Sequence, residues 1–351
     1  MKKRTFFYAL AFLMLIIDSQ TAADGVRIGL RLCLQTLIPA LFPFLMLSTM
    51  LTGLLSGQTL AICKPLCRLF HIPETRQEIL VIGFLGGYPT GAQAVNRAVS
   101  EGRISRENGK KLLAFCSNAG PSFIFGMGST LFPHPWMCWA LWGIHILSAL
   151  LVSQCFPLCS GSSPQPKSTE EITLAKALNR SIRVMAIICG WVILFRVLLS
   201  FGEQWLLWRF PIWIQCLLCG VLELSNGICA LAQLESIPLR FLLFSSLLGF
   251  GGVCVAMQTY SVTADLDPSR YLPGKFLQSL FSAMLAASLF SREMAILSIG
   301  CILFILVLRK KRIAFPFPVM YNGEKSSGRK RPCFSAKRSN PNAPIASTPQ
   351  S

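Results

Sequence analysis

The sequence is short of charge, and shortest of acid. Its 351 residues include 15 acidic side chains and three histidines, and charged residues of both signs make up 14% against 53% hydrophobic. A water-soluble domain of this size could not hide that much apolar surface in one core, so lipid has to cover it. The alternating pattern of a barrel strand is absent. So are a phosphate-cradling glycine loop and any serine, cysteine or lysine nucleophile set beside a base by motif. The expectation is a chain that is not an enzyme and holds no metal or cofactor. His134 and His145 fall among Trp136, Trp139 and Trp142, the composition of an interfacial aromatic belt, and His71 has no metal-ligand neighbours.

Long apolar runs are what the chain does have. The clearest are 28–55, 112–132, 136–156, 184–201, 212–234, 241–262 and 276–308, most of them near or above the roughly 20 residues that cross a bilayer as a helix. Lipid offers backbone amides no partner, so helix is the expected spanning form. The predicted fold class is an all-α polytopic membrane protein with about 8–10 apolar helical segments. Most of the 14 cysteines lie inside these runs as small hydrophobes, and the Cys216–Cys219 pair reads as helix interior.

The net charge of +18 comes mainly from basic residues that flank apolar runs. Lys64, Arg68 and Arg76 form one loop cluster; Arg97, Arg103, Arg106, Lys110 and Lys111 a second; Lys167, Lys176, Arg180 and Arg183 a third. By the positive-inside rule all three share the cytoplasmic face with both termini, whereas loops near Glu203, Arg209, Asp265 and Asp267 read as outer. Lys2, Lys3 and Arg4 before the apolar stretch 6–17 mimic a secretory signal, read here as a retained first helix over 1–24. The segment 309–351 reads as a basic, disordered cytoplasmic tail beside anionic lipid. It lacks aromatic platforms, so nucleic acid is not an expected partner.

The segment 79–95 is apolar but broken by Gly83, Gly86, Gly87, Pro89 and Gly91, and it lies between two basic loops. It cannot cross once and has to enter and return. A repeat supports this: Gly86-Gly87, Gln93 and Lys111 are matched by Gly251-Gly252, Gln258 and Lys275 with one residue of slippage. Two inverted halves follow, 25–157 with a glycine-rich element at 83–93 and 184–308 with one at 249–258, joined by a linker at 158–183. Charges leave the path of 201–275 open: either one apolar run there is re-entrant, or 276–308 is not two full crossings.

Three stretches can carry chemistry. Residues 83–93 free backbone groups that a ligand, water or close helix packing must satisfy. Cys116-Ser117-Asn118-Ala119-Gly120-Pro121-Ser122 sets an amide and two hydroxyls in an apolar run. Glu223 stands in another such run, where a carboxylate costs roughly 2.5–3.5 kcal/mol. An ion, a proton, a ligand or a salt bridge to Arg196 could offset that cost.

With Gly-Tyr-Pro-Thr-Gly-Ala at 87–92, the basic segment 101–111, Phe-Cys-Ser-Asn-Ala-Gly-Pro at 115–121, Leu222-Glu223 with Ser225 and Gly227, and Phe250-Gly251-Gly252 with Gln258, the chain resembles the YlbJ family of sporulation integral membrane proteins, grouped with nucleoside-recognition Gate-domain proteins. The resemblance covers roughly residues 25–308. Gly86 departs from it, standing where serine is expected. It implies an endospore-forming bacterium, the membrane around the forespore, a part in cortex formation, and passage of dipicolinate, a small aromatic dianion. Partners implied are lipid, that anionic solute, and a second copy or other sporulation membrane proteins. It also implies a likeness to concentrative nucleoside transporters; a non-transporting scaffold and a nucleoside-type carrier are the alternatives. The signature positions it transfers are Gly87, Tyr88, Pro89, Thr90, Gly91, Asn118, Gly120, Pro121, Glu223, Gly251, Gly252 and Gln258. Together with Gln93 these form the expected site, in which Thr90, Gln93, Asn118 and Gln258 bind an anion and Glu223 carries a proton or cation or steers helix position.

Overall fold

The computed structural model describes residues 2–55, 61–69, 77–158, 173–264 and 266–310. The tail beyond Lys310, most of the linker, and Arg76, Lys167 and Asp265 lie outside the described residues. Among the described residues all regular structure is helical. The helices are α1 (Lys2–Ile17), α2 (Ser19–Leu32), α3 (Ile38–Leu55), α4 (Lys64–Leu69), α5 (Gln77–Leu85), α6 (Thr90–Ser100), α7 (Arg106–Leu113), α8 (Pro121–Leu131), α9 (Pro135–Cys155), α10 (Leu174–Trp205), α11 (Ile212–Leu222), α12 (Leu224–Ala230), α13 (Ile237–Phe250), α14 (Gly252–Val262), α15 (Tyr271–Ala287) and α16 (Arg292–Lys310). Stretches Ser19–Leu51, Pro135–Cys155, Leu174–Trp205 and Ile237–Val262 are long and apolar enough to cross a bilayer. Ile296, Ile299, Leu303 and Phe304 of α16 are exposed, as lipid-facing residues are. The chain is an all-α polytopic membrane protein.

A π-helical turn at Cys33–Leu37 joins α2 to α3, and together they pack antiparallel against α10. Gly25 and Gly29 allow the approach: a Cβ at either would stand within 3.0 Å of the α10 backbone at Val197 or Ile193. Both glycines lie on one face because four residues make about one turn.

Two pairs of short helices do not span. α5 and α6 form a hairpin whose Gly83 and Gly91 clasp the Cys116 carbonyl so closely that a Cβ at either would collide with it. α11 and α12 form a second hairpin, closed where Gly227 packs on the Gly220 backbone. The run 212–234, expected to cross as one helix, is instead two short helices doubled back on each other, and α15 and α16 are separate helices.

Two successive helix pairs are interrupted midway. α7 and α8 are separated by the unwound 114–120, and α13 and α14 by Gly251 and Gly252, at φ of +81° and +83°. Glycine adopts these left-handed angles without the steric cost of a side chain. The sequence match of Gly86-Gly87 to Gly251-Gly252 thus pairs unlike places, a hairpin tip with a helix break.

The ends of the elements define two faces. α6 runs out into the basic loop 101–105, and Lys110 of α7 pairs with Asp267 at 2.8 Å, so the loop after α14 lies on this basic face. Asp267 was expected on the other face; its ion pair corrects that. On the opposite face Arg240 of α13 donates to the carbonyl of Leu131 at the end of α8, at 2.7 Å, and Thr21 of α2 bonds Gln204 of α10.

Candidate functional site

Both hairpin tips and both helix breaks meet inside the bundle. At the first tip Gly87 has φ +76°, Tyr88 precedes a cis Pro89, and Gly87 packs on Gly120, where a Cβ would stand 3.1 Å from the Gly87 Cα. Tyr88 crosses to the other half: its Oη donates to the Leu248 carbonyl at 3.0 Å and lies over Gly251, where a Cβ would come within 3.1 Å of it. At the second tip Gly252 packs on the Gly220 carbonyl and the Leu224 N–H. Glycine at 120, 251 and 252 is therefore a requirement of close approach.

A cavity of about 40 Å³ remains where these parts meet, lined by Tyr88, Gly120, Glu223, Ser225 and Gln258 among apolar residues. It has room for a few water molecules or a bare cation and not for an aromatic dianion. Glu223 is 1% exposed and is the N-cap of α12. Its carboxylate accepts from the Ser225 N–H at 3.1 Å, the Asn226 N–H at 2.7 Å and Asn226 Nδ2 at 2.7 Å. Three donors at a helix N-terminus stabilise the negative charge. Arg196 does not reach it. That guanidinium pairs with Glu203 and donates to Asn226 Oδ1 at 3.4 Å, so Asn226 stands between the two charges.

A larger cavity of about 260 Å³ opens on the side of α6 that leads to the basic loop. Thr90, Gln93, Asn96, Arg97, Ser100 and Arg180 line it. The buried Thr90 Oγ1 and Asn96 Oδ1 have no hydrogen-bond partner among the described residues. The Arg97 guanidinium is already paired with Glu101, so the cavity offers an anion the hydroxyl and amide groups and whatever these two arginines leave unshared.

The third polar group is buried. Lys275 is fully buried; its Nζ donates to Gln278 Oε1 at 2.7 Å and Asn118 Oδ1 at 3.2 Å and sits 5.3 Å from the Tyr88 ring centre and 5.9 Å from that of Tyr271. Gln278 Nε2 donates to Asn118 Oδ1 at 2.9 Å, and Asn118 Nδ2 to the Phe115 carbonyl. His145 is 1% exposed and accepts from the Ala119 N–H at 3.0 Å. The interfacial belt expected for it is wrong: α9 turns this ring inward, onto the break in the α7–α8 span.

Eleven of the thirteen predicted positions thus fall into three places. Tyr88, Gly120, Glu223 and Gln258 line the small cavity, with Gly87, Pro89, Gly251 and Gly252 shaping its walls; Thr90 and Gln93 line the large one; Asn118 belongs to the Lys275 network. Gly91 packs on Cys116, and Pro121 opens α8. The sequence reading missed Lys275, Gln278, His145, Asn96, Arg97 and Arg180 as site residues. Lys275 looked like a flanking charge because it directly precedes an apolar run; Gln278 one turn later was the signal, since positions i and i+3 share a face. Among the described residues no group of His, Cys, Asp and Glu is placed to hold a metal ion.

Over 270 residues the chain is 24% identical to the sporulation integral membrane protein YlbJ of Bacillus subtilis (strain 168), a match covering 64% of this chain and 66% of that protein, just under two thirds. No family model matches the chain, and no solved structure matches it.

Proposed function

We propose that the chain is a sporulation-associated carrier of a small anionic solute, dipicolinate, across a membrane surrounding the forespore, serving cortex formation. The observation that carries this reading is the meeting of two re-entrant tips and two broken helices around a buried carboxylate. Each half then has the same order of parts: a long span (α2–α3 or α10), a hairpin (α5–α6 or α11–α12), a broken span (α7–α8 or α13–α14) and a closing span (α9 or α15). The hairpins enter from opposite faces, as inverted halves require, and such halves can rock about a central site. The basic face is the cytoplasmic one.

The two cavities divide the work. An anion in the small cavity would meet the Glu223 carboxylate without room, so Glu223 and Gln258 hold the coupling proton or cation there. The solute binds in the larger cavity at Thr90, Gln93, Arg97 and Arg180. Proteoliposomes holding the purified chain test this with labelled dipicolinate under an imposed ion or pH gradient. The expected result is saturable uptake that Glu223→Gln uncouples from the gradient. No uptake by folded, oriented protein would overturn the carrier reading in favour of a scaffold.

A further inference from the structure

Lys275 has no exposed surface, and among the described residues no charged group pairs with it. An ammonium has three N–H donors and a full charge; its protein partners are two neutral amide oxygens and two tyrosine faces. A neutral amine has two N–H donors, which match the two amide oxygens. Burying an unpaired charge is costly, and a cation over an aromatic face recovers part of that cost.

The neighbours supply no hidden counter-charge. From the break after α7 come Asn118 and the Cys116 thiol; from α9, His145, whose Nε2 accepts an N–H and so belongs to a neutral ring. From α7 comes Lys110, already paired with Asp267; from α13, Arg240, bonded to two carbonyls on the opposite face. α16 brings Arg292 and Glu293 at the far end of α15. Tyr260 of α14 meets Tyr271 edge to face. Tyr88, the ring nearest Nζ, also lines the small cavity and is bonded to Leu248 just ahead of the glycine break.

We propose that Lys275 is a proton-binding site of this protein, releasing the Nζ proton to water and regaining it as Tyr88 leaves and rejoins the ammonium. The nitrogen keeps its electron pair on release, so no other reactant is needed. Movement of the first hairpin tip then changes proton affinity at Lys275, giving a carrier a second coupled proton besides the ion at Glu223. That last step rests on the carrier reading; the proton exchange does not.

The test uses full-length protein, labelled at lysine 15Nζ, in liposomes and followed by solid-state NMR against pH. One resonance should pass from ammonium to amine while the other lysines remain ammonium, and it should be missing in Lys275→Met. If that variant does not fold, 13C-labelled tyrosine rings assign the same nitrogen through its two close rings. Tyr88→Leu should move the transition to lower pH, and Tyr88→Phe, which keeps the ring, should move it much less. A Lys275 resonance that titrates with the other lysines, or a transition indifferent to Tyr88→Leu, would overturn the proposal. Exchange seen here without dipicolinate uptake would sink the carrier reading and leave the proton site standing.

Discussion

Glu223 shows how a carboxylate survives inside a membrane protein: its oxygens take three N–H donors from one helix start, and the nearest cation is one residue removed. A double-mutant cycle in detergent should therefore find Arg196 coupled to Glu203 by about 1 kcal/mol and to Glu223 by much less. Equal coupling to both would mean the carboxylates share the guanidinium. Gly251 makes a second residue-scale case. Gly251→Ala faces a left-handed φ and the Tyr88 hydroxyl at 3.1 Å, and should cost roughly 1–2 kcal/mol by thermal unfolding. In a Tyr88→Phe background, which removes that hydroxyl but leaves the ring carbon Cζ at 3.2 Å, the penalty should shrink only in part.

At the scale of elements, the hairpins and the loop after α14 separate this fold from a simple count of crossings. Trp213→Cys and Gln233→Cys, on either side of α11–α12, should react with an impermeant thiol reagent from the same membrane face in a background without other reactive cysteines. Ser269→Cys should react from the other face, together with Ser105→Cys. Labelling of 213 and 233 from opposite faces would restore a spanning helix. The Lys110–Asp267 pair ties α7 to the loop before α15. Lys110, with help from the Ser269 N–H, holds the Asp267 carboxyl below its ordinary 3.8. Because the folded value is the lower one, the stabilisation is present above that pH and is lost as pH falls through the folded value. Asp267 is half exposed, so the gain is below about 1 kcal/mol. Asp267→Asn should be slightly less stable than the parent at neutral pH and indistinguishable from it in strong acid.

For the molecule as a whole, the two cavities predict separable kinetic defects. Arg180→Gln should raise the half-saturating dipicolinate concentration several-fold with little change in maximal rate, whereas Glu223→Gln should alter the response to the gradient. If both gave the same defect, the solute and the coupling ion would have to share one site.

Composition and apolar run length determined that this chain is helical and lives in lipid, because no soluble core could absorb that surface. Glycine and proline between two basic loops marked the first hairpin, and an acid in an apolar run marked Glu223, since each breaks a rule that lipid enforces on single segments. The second hairpin carries no basic loop at either end and reads like a spanning helix until Gly220 and Gly227 are seen in contact. Lys275 looks like a helix-flanking anchor until Tyr88 and Asn118 from separate elements, with Gln278 of its own helix, close over it. Which polar groups share a cavity, and which charge lacks a partner, depends on contacts between segments more than a hundred residues apart. Those contacts follow from how the helices pack, and only the tertiary structure decided them.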